Sequence, residues 1–91
     1  MPSTRGSDSE IIKADIRNTI LSTLATRGPG KTCCPSEIPR KLFPGQWREY
    51  MEVTRSVAWE LVREDKLEVC QRGNIVMDET VKGPIRLRLK R

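Results

Sequence analysis

Ninety-one residues make one small domain with a single core, and a chain that is 36% hydrophobic and 32% charged is composed to fold rather than to stay disordered. Seventeen Lys and Arg against 12 Asp and Glu leave a net charge of +5, which favours anionic partners, chiefly nucleic acid. No apolar run reaches the roughly 18 residues of a membrane span, the opening "MPSTRGSDSE" lacks the apolar region of a secretory signal, and there is no histidine for a Cys–His or Ser–His nucleophile pair. The expectation is an intracellular protein without a membrane partner, cytoplasmic or, in a eukaryote, nuclear.

Residues 1–8 are rich in Ser, Thr and Gly and read as a flexible N-terminus, with the folded domain over 9–91. "SDSE" at 7–10 has capping-box spacing, Ser7 at the cap and Glu10 three residues on. Ile12, Ile16, Ile20 and Leu24 then recur every fourth residue with Leu21 beside them, which predicts an amphipathic helix over about 9–27, stopped by Gly28-Pro29-Gly30. "KTCC" at 31–34 suits a strand of two or three residues. Pro35 and Glu37 follow Cys34 at capping distances, and Ile38 with Leu42 mark a short second helix. Pro39 requires that helix to be brief or to begin close by.

A third, longer helix is predicted from Gln46 to about Asp65. One stripe holds Trp47, Tyr50, Met51, Thr54, Val57, Ala58 and Leu61; another holds Arg48, Glu52, Arg55, Trp59 and Arg63. Leu67–Gln71, the turn Arg72-Gly73-Asn74 and Ile75–Met77 read as a β-hairpin. After Gly83-Pro84 comes "IRLRLKR", in which Ile85, Leu87 and Leu89 alternate with Arg86, Arg88 and Lys90. That alternation predicts a half-buried strand with a cationic outer row, pairing near the hairpin or the short first strand. Cys33, Cys34 and Cys70 are odd in number and too few for a four-ligand zinc site, so they read as reduced, inert thiols, and no metal or cofactor is expected.

The order helix, short strand, short helix, long helix, hairpin resembles the winged helix-turn-helix. The expected fold is therefore α+β: three helices, a short first strand, a hairpin wing and an added C-terminal strand. "LVREDKLEV" at 61–69 is similar to the winged-helix junction, with Asp65 or Lys66 taking the tight turn where many members place glycine. A closer resemblance joins Gly28-Pro29-Gly30-Lys31, Cys34-Pro35-Ser36-Glu37, Trp47-Arg48 and Gly83-Pro84-Ile85-Arg86 to the family called domain of unknown function 3253, over about Ile12 to Leu89. That resemblance implies a winged-helix fold and supplies no activity or catalytic residue.

"GPGKT" at 28–32 lacks the first glycine of a phosphate loop and follows a helix, so a helix stop explains it. Arg48, Arg55, Trp59 and Arg63 are the candidates to meet a DNA groove from helix three, although Glu52 and neighbouring acids equally suit a solvated face of ion pairs. Lys66 and Arg72 belong to the wing, and Arg86, Arg88 and Lys90 to the terminal strand. The expected function is DNA binding, most plausibly to double-stranded DNA, by a non-enzymatic protein. The alternative is a protein-interaction module, for which Trp59 is the candidate anchor.

Overall fold

The computed structural model describes the backbone of residues 5–90 and the side chains of residues 9–90. The first helix, α1 (Arg5–Arg27), carries the expected stripe: Ile16, Ile20 and Leu24 are fully buried, and Ile12 and Leu21 pack at their margin. It begins ahead of the expected Ser7 cap, at Arg5, and continues through Gly6 with no proline before Arg27. Residues 1–4 of the expected flexible N-terminus lie outside the described residues. Gly28, at φ 105°, ends the helix in a conformation that side-chain-bearing residues resist.

After the two-residue strand β1 (Thr32–Cys33) comes α2 (Glu37–Leu42). Pro39 is buried in its first turn, where a backbone N–H has no intrahelical partner to lose, so the proline is accommodated. Glu37 ties three elements together. Its carboxylate accepts the Cys34 N–H at 2.9 Å, the backward half of a capping box, and binds the Arg27 guanidinium at 2.7 and 3.1 Å. Arg27 also donates to the Thr32 carbonyl at 3.0 Å. The Arg27 hydrogen bond, outweighing burial, brings the Glu37 carboxyl from 4.5 down to about 2. A depressed carboxyl contributes stability above its unfolded pKa and loses it as the folded group protonates. Glu37→Gln is therefore expected to cost about 1 kcal/mol at pH 7, after discounting for partial exposure, and almost nothing near pH 2. Urea unfolding at the two pH values checks this; an equal cost at both would reject the charge as its source.

The third helix departs from the expected single span. A 3₁₀ turn (Trp47–Tyr50) leads into α3 (Met51–Arg63). Phe43 and Tyr50 stack with ring centroids 3.8 Å apart, which closes the intervening segment and holds the entry to the helix in its tighter form. Buried Thr54 donates to the Tyr50 carbonyl at 2.7 Å. At the far end Asp65 adopts φ 67°, its N–H bonds to Val62 O at 2.9 Å, and the Lys66 N–H bonds to Leu61 O at 3.0 Å. Those two bonds make a Schellman stop, with aspartate in the position that glycine usually fills.

The strands β2 (Leu67–Gln71) and β3 (Asn74–Val76) form the expected hairpin. Arg72 (φ 54°) and Gly73 (φ 83°) at its tip make a two-residue turn of the type that matches strand twist. The terminal strand β4 (Arg86–Leu89) pairs antiparallel with both of the neighbours between which the sequence left the choice open. The antiparallel sheet runs β1-β4-β2-β3, so β4 is an inner strand rather than an appended edge. Leu87 lies opposite Cys33 on one side and Val69 on the other, and all three side chains are buried. Three helices and a four-stranded antiparallel sheet, with α1 and α3 packed on each other and against strands, are compatible with a winged-helix-like arrangement. Among the described residues no helix is long and apolar enough to cross a membrane.

Candidate nucleic-acid interface

The stripes of the third helix do not divide as their spacing suggested. Trp59 is not on the surface: it is 4% exposed within the core, and its Nε1 has no hydrogen-bond partner among the described residues. Arg63, one turn further on, is exposed but ion-paired with Glu79 of the loop that follows β3. That loop therefore reaches the helix beside Trp59, through Glu79, while Val81 packs against the core. The chain between β3 and β4 thus occupies ground that a sequence reading leaves open. Arg55 of the helix is partly exposed, and Arg48 of the preceding 3₁₀ turn is exposed.

Trp47 behaves in the opposite way. Assigned by spacing to the inner stripe, it is only partly buried, and two guanidiniums lie over its ring. The Arg40 carbon stands 4.0 Å from the ring centroid and the Arg48 carbon 4.6 Å. Arg40 escaped the sequence reading because it belongs to the second helix. The available signal was the adjacent pair Arg40-Lys41 on a helix turn that leads directly to Trp47-Arg48.

The terminal row is largely neutralised. Arg88 donates from Nε and Nη2 to Glu68 Oε1 at 3.0 and 2.7 Å across the β2–β4 pair, and Lys90 reaches Asp65 at 2.5 Å. Each cation's pKa is raised by the hydrogen bond to its acid. Arg86 donates instead to the Thr32 hydroxyl at 3.0 Å and is in no ion pair among the described residues. Lys66 and Arg72 are exposed and form no ion pair among the described residues. Gln71, donating to the Lys82 and Pro84 carbonyls at 2.7 and 3.2 Å, also brings Lys82 beside the hairpin tip.

Six ion pairs are present among the described residues. They join α1 to α3 (Lys13–Glu60, Arg17–Glu64), α1 to α2 (Arg27–Glu37), α3 to the following loop, β2 to β4, and the end of β4 to Asp65. None involves Arg40, Lys41, Arg48 or Arg55. Six acids join elements of the fold, whereas the corner between α2 and α3 holds cations in no such pair, with Glu49 and Glu52 beside them. Cys33 and Cys70 are buried, and burial pushes the Cys33 thiol up to about 11, away from thiolate chemistry.

The chain is thus a small α+β domain of three helices and a four-stranded antiparallel sheet, with two guanidiniums over one indole ring at the corner between α2 and α3. The family described as "Protein of unknown function (DUF3253)" matches residues 13–90, and the chain belongs to that family. No curated protein matches it.

Proposed function

We propose that the chain is an intracellular winged-helix module that binds double-stranded DNA, a binding protein rather than an enzyme. It presents α2, the 3₁₀ turn and the start of α3 to the duplex, with the hairpin as a flanking wing. The observation that carries this reading is the placement of the unpaired cations. Arg40 and Arg48 meet over the Trp47 ring at one corner, Arg55 follows on α3, and Arg72 and Lys82 lie at the wing, while six other cations are tied to acids. Unneutralised guanidiniums on a helix entry suit phosphate oxygens and guanine edges, and each phosphate contact releases counterions. Arg86 extends the basic surface from the terminal strand, whereas Arg88 and Lys90 are committed to their acids.

Titrating a labelled duplex at about 50 and about 200 mM salt is expected to show affinity falling on the order of a thousandfold, as for six or more phosphate contacts. Absence of binding at the lower salt would remove the DNA reading. A protein-interaction module is the second reading, favoured by Ile75 and Met77, which are 51% and 78% exposed beside the open edge of β3. A chain that ignores DNA but loses self-association or partner capture on Ile75→Asp would support it.

A further inference from the structure

We propose that Arg40, Trp47 and Arg48 form a clamp for one phosphodiester group of duplex DNA, with Trp47 as the residue that positions both guanidiniums. This inference rests on the DNA-binding reading and deepens it.

Like charges separate unless something holds them. Here one indole ring lies beneath guanidinium carbons at 4.0 and 4.6 Å, so the arginines can be no further apart than those two distances together. Neither is in an ion pair among the described residues, where six other cations are. The ring's π system offsets part of their repulsion and desolvates the side of each guanidinium turned toward it. Their planar donors remain available at the edges, the geometry that suits two oxygens of one phosphate.

The support is built from local contacts. The Phe43–Tyr50 stack closes the segment that carries Trp47 and Arg48. Within it the Gln46 N–H bonds to Phe43 O at 2.9 Å, and the Glu49 N–H bonds to Gln46 O at 3.0 Å. Residues 44–49 line a depression of about 270 Å³ at the same place, and its one acid, Glu49, pairs with neither arginine. Lys41, alongside Arg40, turns away and donates to Thr23 Oγ1 at 2.8 Å, leaving the two guanidiniums as the clamp. Preorganised donors need little ordering on binding, which is what a backbone-anchoring contact requires.

The test is fluorescence anisotropy of a labelled 16-base-pair duplex with the full chain, across a salt series, with circular dichroism melting of every variant. Arg40→Ala and Arg48→Ala are each expected to weaken binding about tenfold and to flatten the salt slope by about one, as for one lost phosphate. Trp47→Leu keeps both charges and is expected to lose about fivefold, while Trp47→Phe, which retains a ring for the guanidiniums, stays within about twofold. Arg88→Ala, remote in role and paired with Glu68, serves as the control and is expected to change little. Wild-type binding that survives Arg40→Ala and Arg48→Ala unchanged, or falls equally for Arg88→Ala, would overturn the clamp and leave the DNA reading standing. A loss for Trp47→Leu that Trp47→Phe shares, or that tracks a fall in melting temperature, would overturn the positioning role of the indole. No duplex binding by the wild-type chain at low salt would overturn both.

Discussion

Leu87→Ala is expected to cost about 3 kcal/mol of folding stability, within the range for large-to-small changes at fully buried sites. For a domain of this size that corresponds to a fall in melting temperature on the order of 15 °C. The reason is topological. Leu87 is 0% exposed and sits on the inner strand, facing Cys33 of β1 and Val69 of β2. Truncating it opens a cavity where three strands and the helices meet. A small domain has roughly 5–10 kcal/mol in total, so the loss takes a large share of what holds it folded. Its neighbour Arg86 is exposed and makes one hydrogen bond to Thr32, so Arg86→Ala is expected to cost under about 0.5 kcal/mol. Urea unfolding of the pair gives the measurement. Similar small losses for both would mean that the segment is a loose basic tail rather than a sheet strand.

The second large effect is expected at Trp59, where two substitutions separate packing from polarity. Trp59→Ala is expected to cost about 3–5 kcal/mol, because a buried aromatic ring is removed from under the loop that follows β3. Trp59→Phe loses some of that packing but also removes an indole N–H buried without a partner. Such an unsatisfied donor costs roughly 1–3 kcal/mol, so the two terms nearly cancel and the variant is expected within about 1 kcal/mol of wild type. Denaturant midpoints at constant slope decide this. If Trp59→Ala left stability intact and instead abolished binding to DNA or a partner, Trp59 would be a surface anchor and its burial would be wrong.

The two tryptophans show where sequence reasoning ran out. Helical spacing placed Trp47 inward and Trp59 outward, on the premise of one continuous α-helix from Gln46. The 3₁₀ turn at Trp47–Tyr50 changes the angular step just where Trp47 lies, which removes it from the stripe of Thr54, Val57 and Leu61. The loop from β3 to β4, anchored by Glu79 on Arg63, then covers the helix beside Trp59. Neither event has a signature in local periodicity: the first depends on the Phe43–Tyr50 stack across a turn, the second on a loop that returns to the helix. The corner of unpaired cations was half legible for the same reason. Arg48 and Arg55 were visible on a helix face, whereas Arg40 joined them only once the chain had turned.

What the sequence determined by itself is local. The four-residue recurrence of Ile12, Ile16, Ile20 and Leu24 specified the buried face of α1. The tight turn after α3 was narrowed to Asp65 or Lys66, and the structure places the left-handed backbone at Asp65. The alternation of Ile85, Leu87 and Leu89 with Arg86, Arg88 and Lys90 specified a strand with one face for the core. These follow from side-chain periods and backbone sterics that act within a few residues. Only the tertiary structure decided that this strand lies between β1 and β2, because period two names a face and never a partner. It likewise decided which cations remain charged toward solvent, since neutralisation of Arg88 and Lys90 depends on acids some twenty or more residues away brought into reach by the sheet and the helix stop.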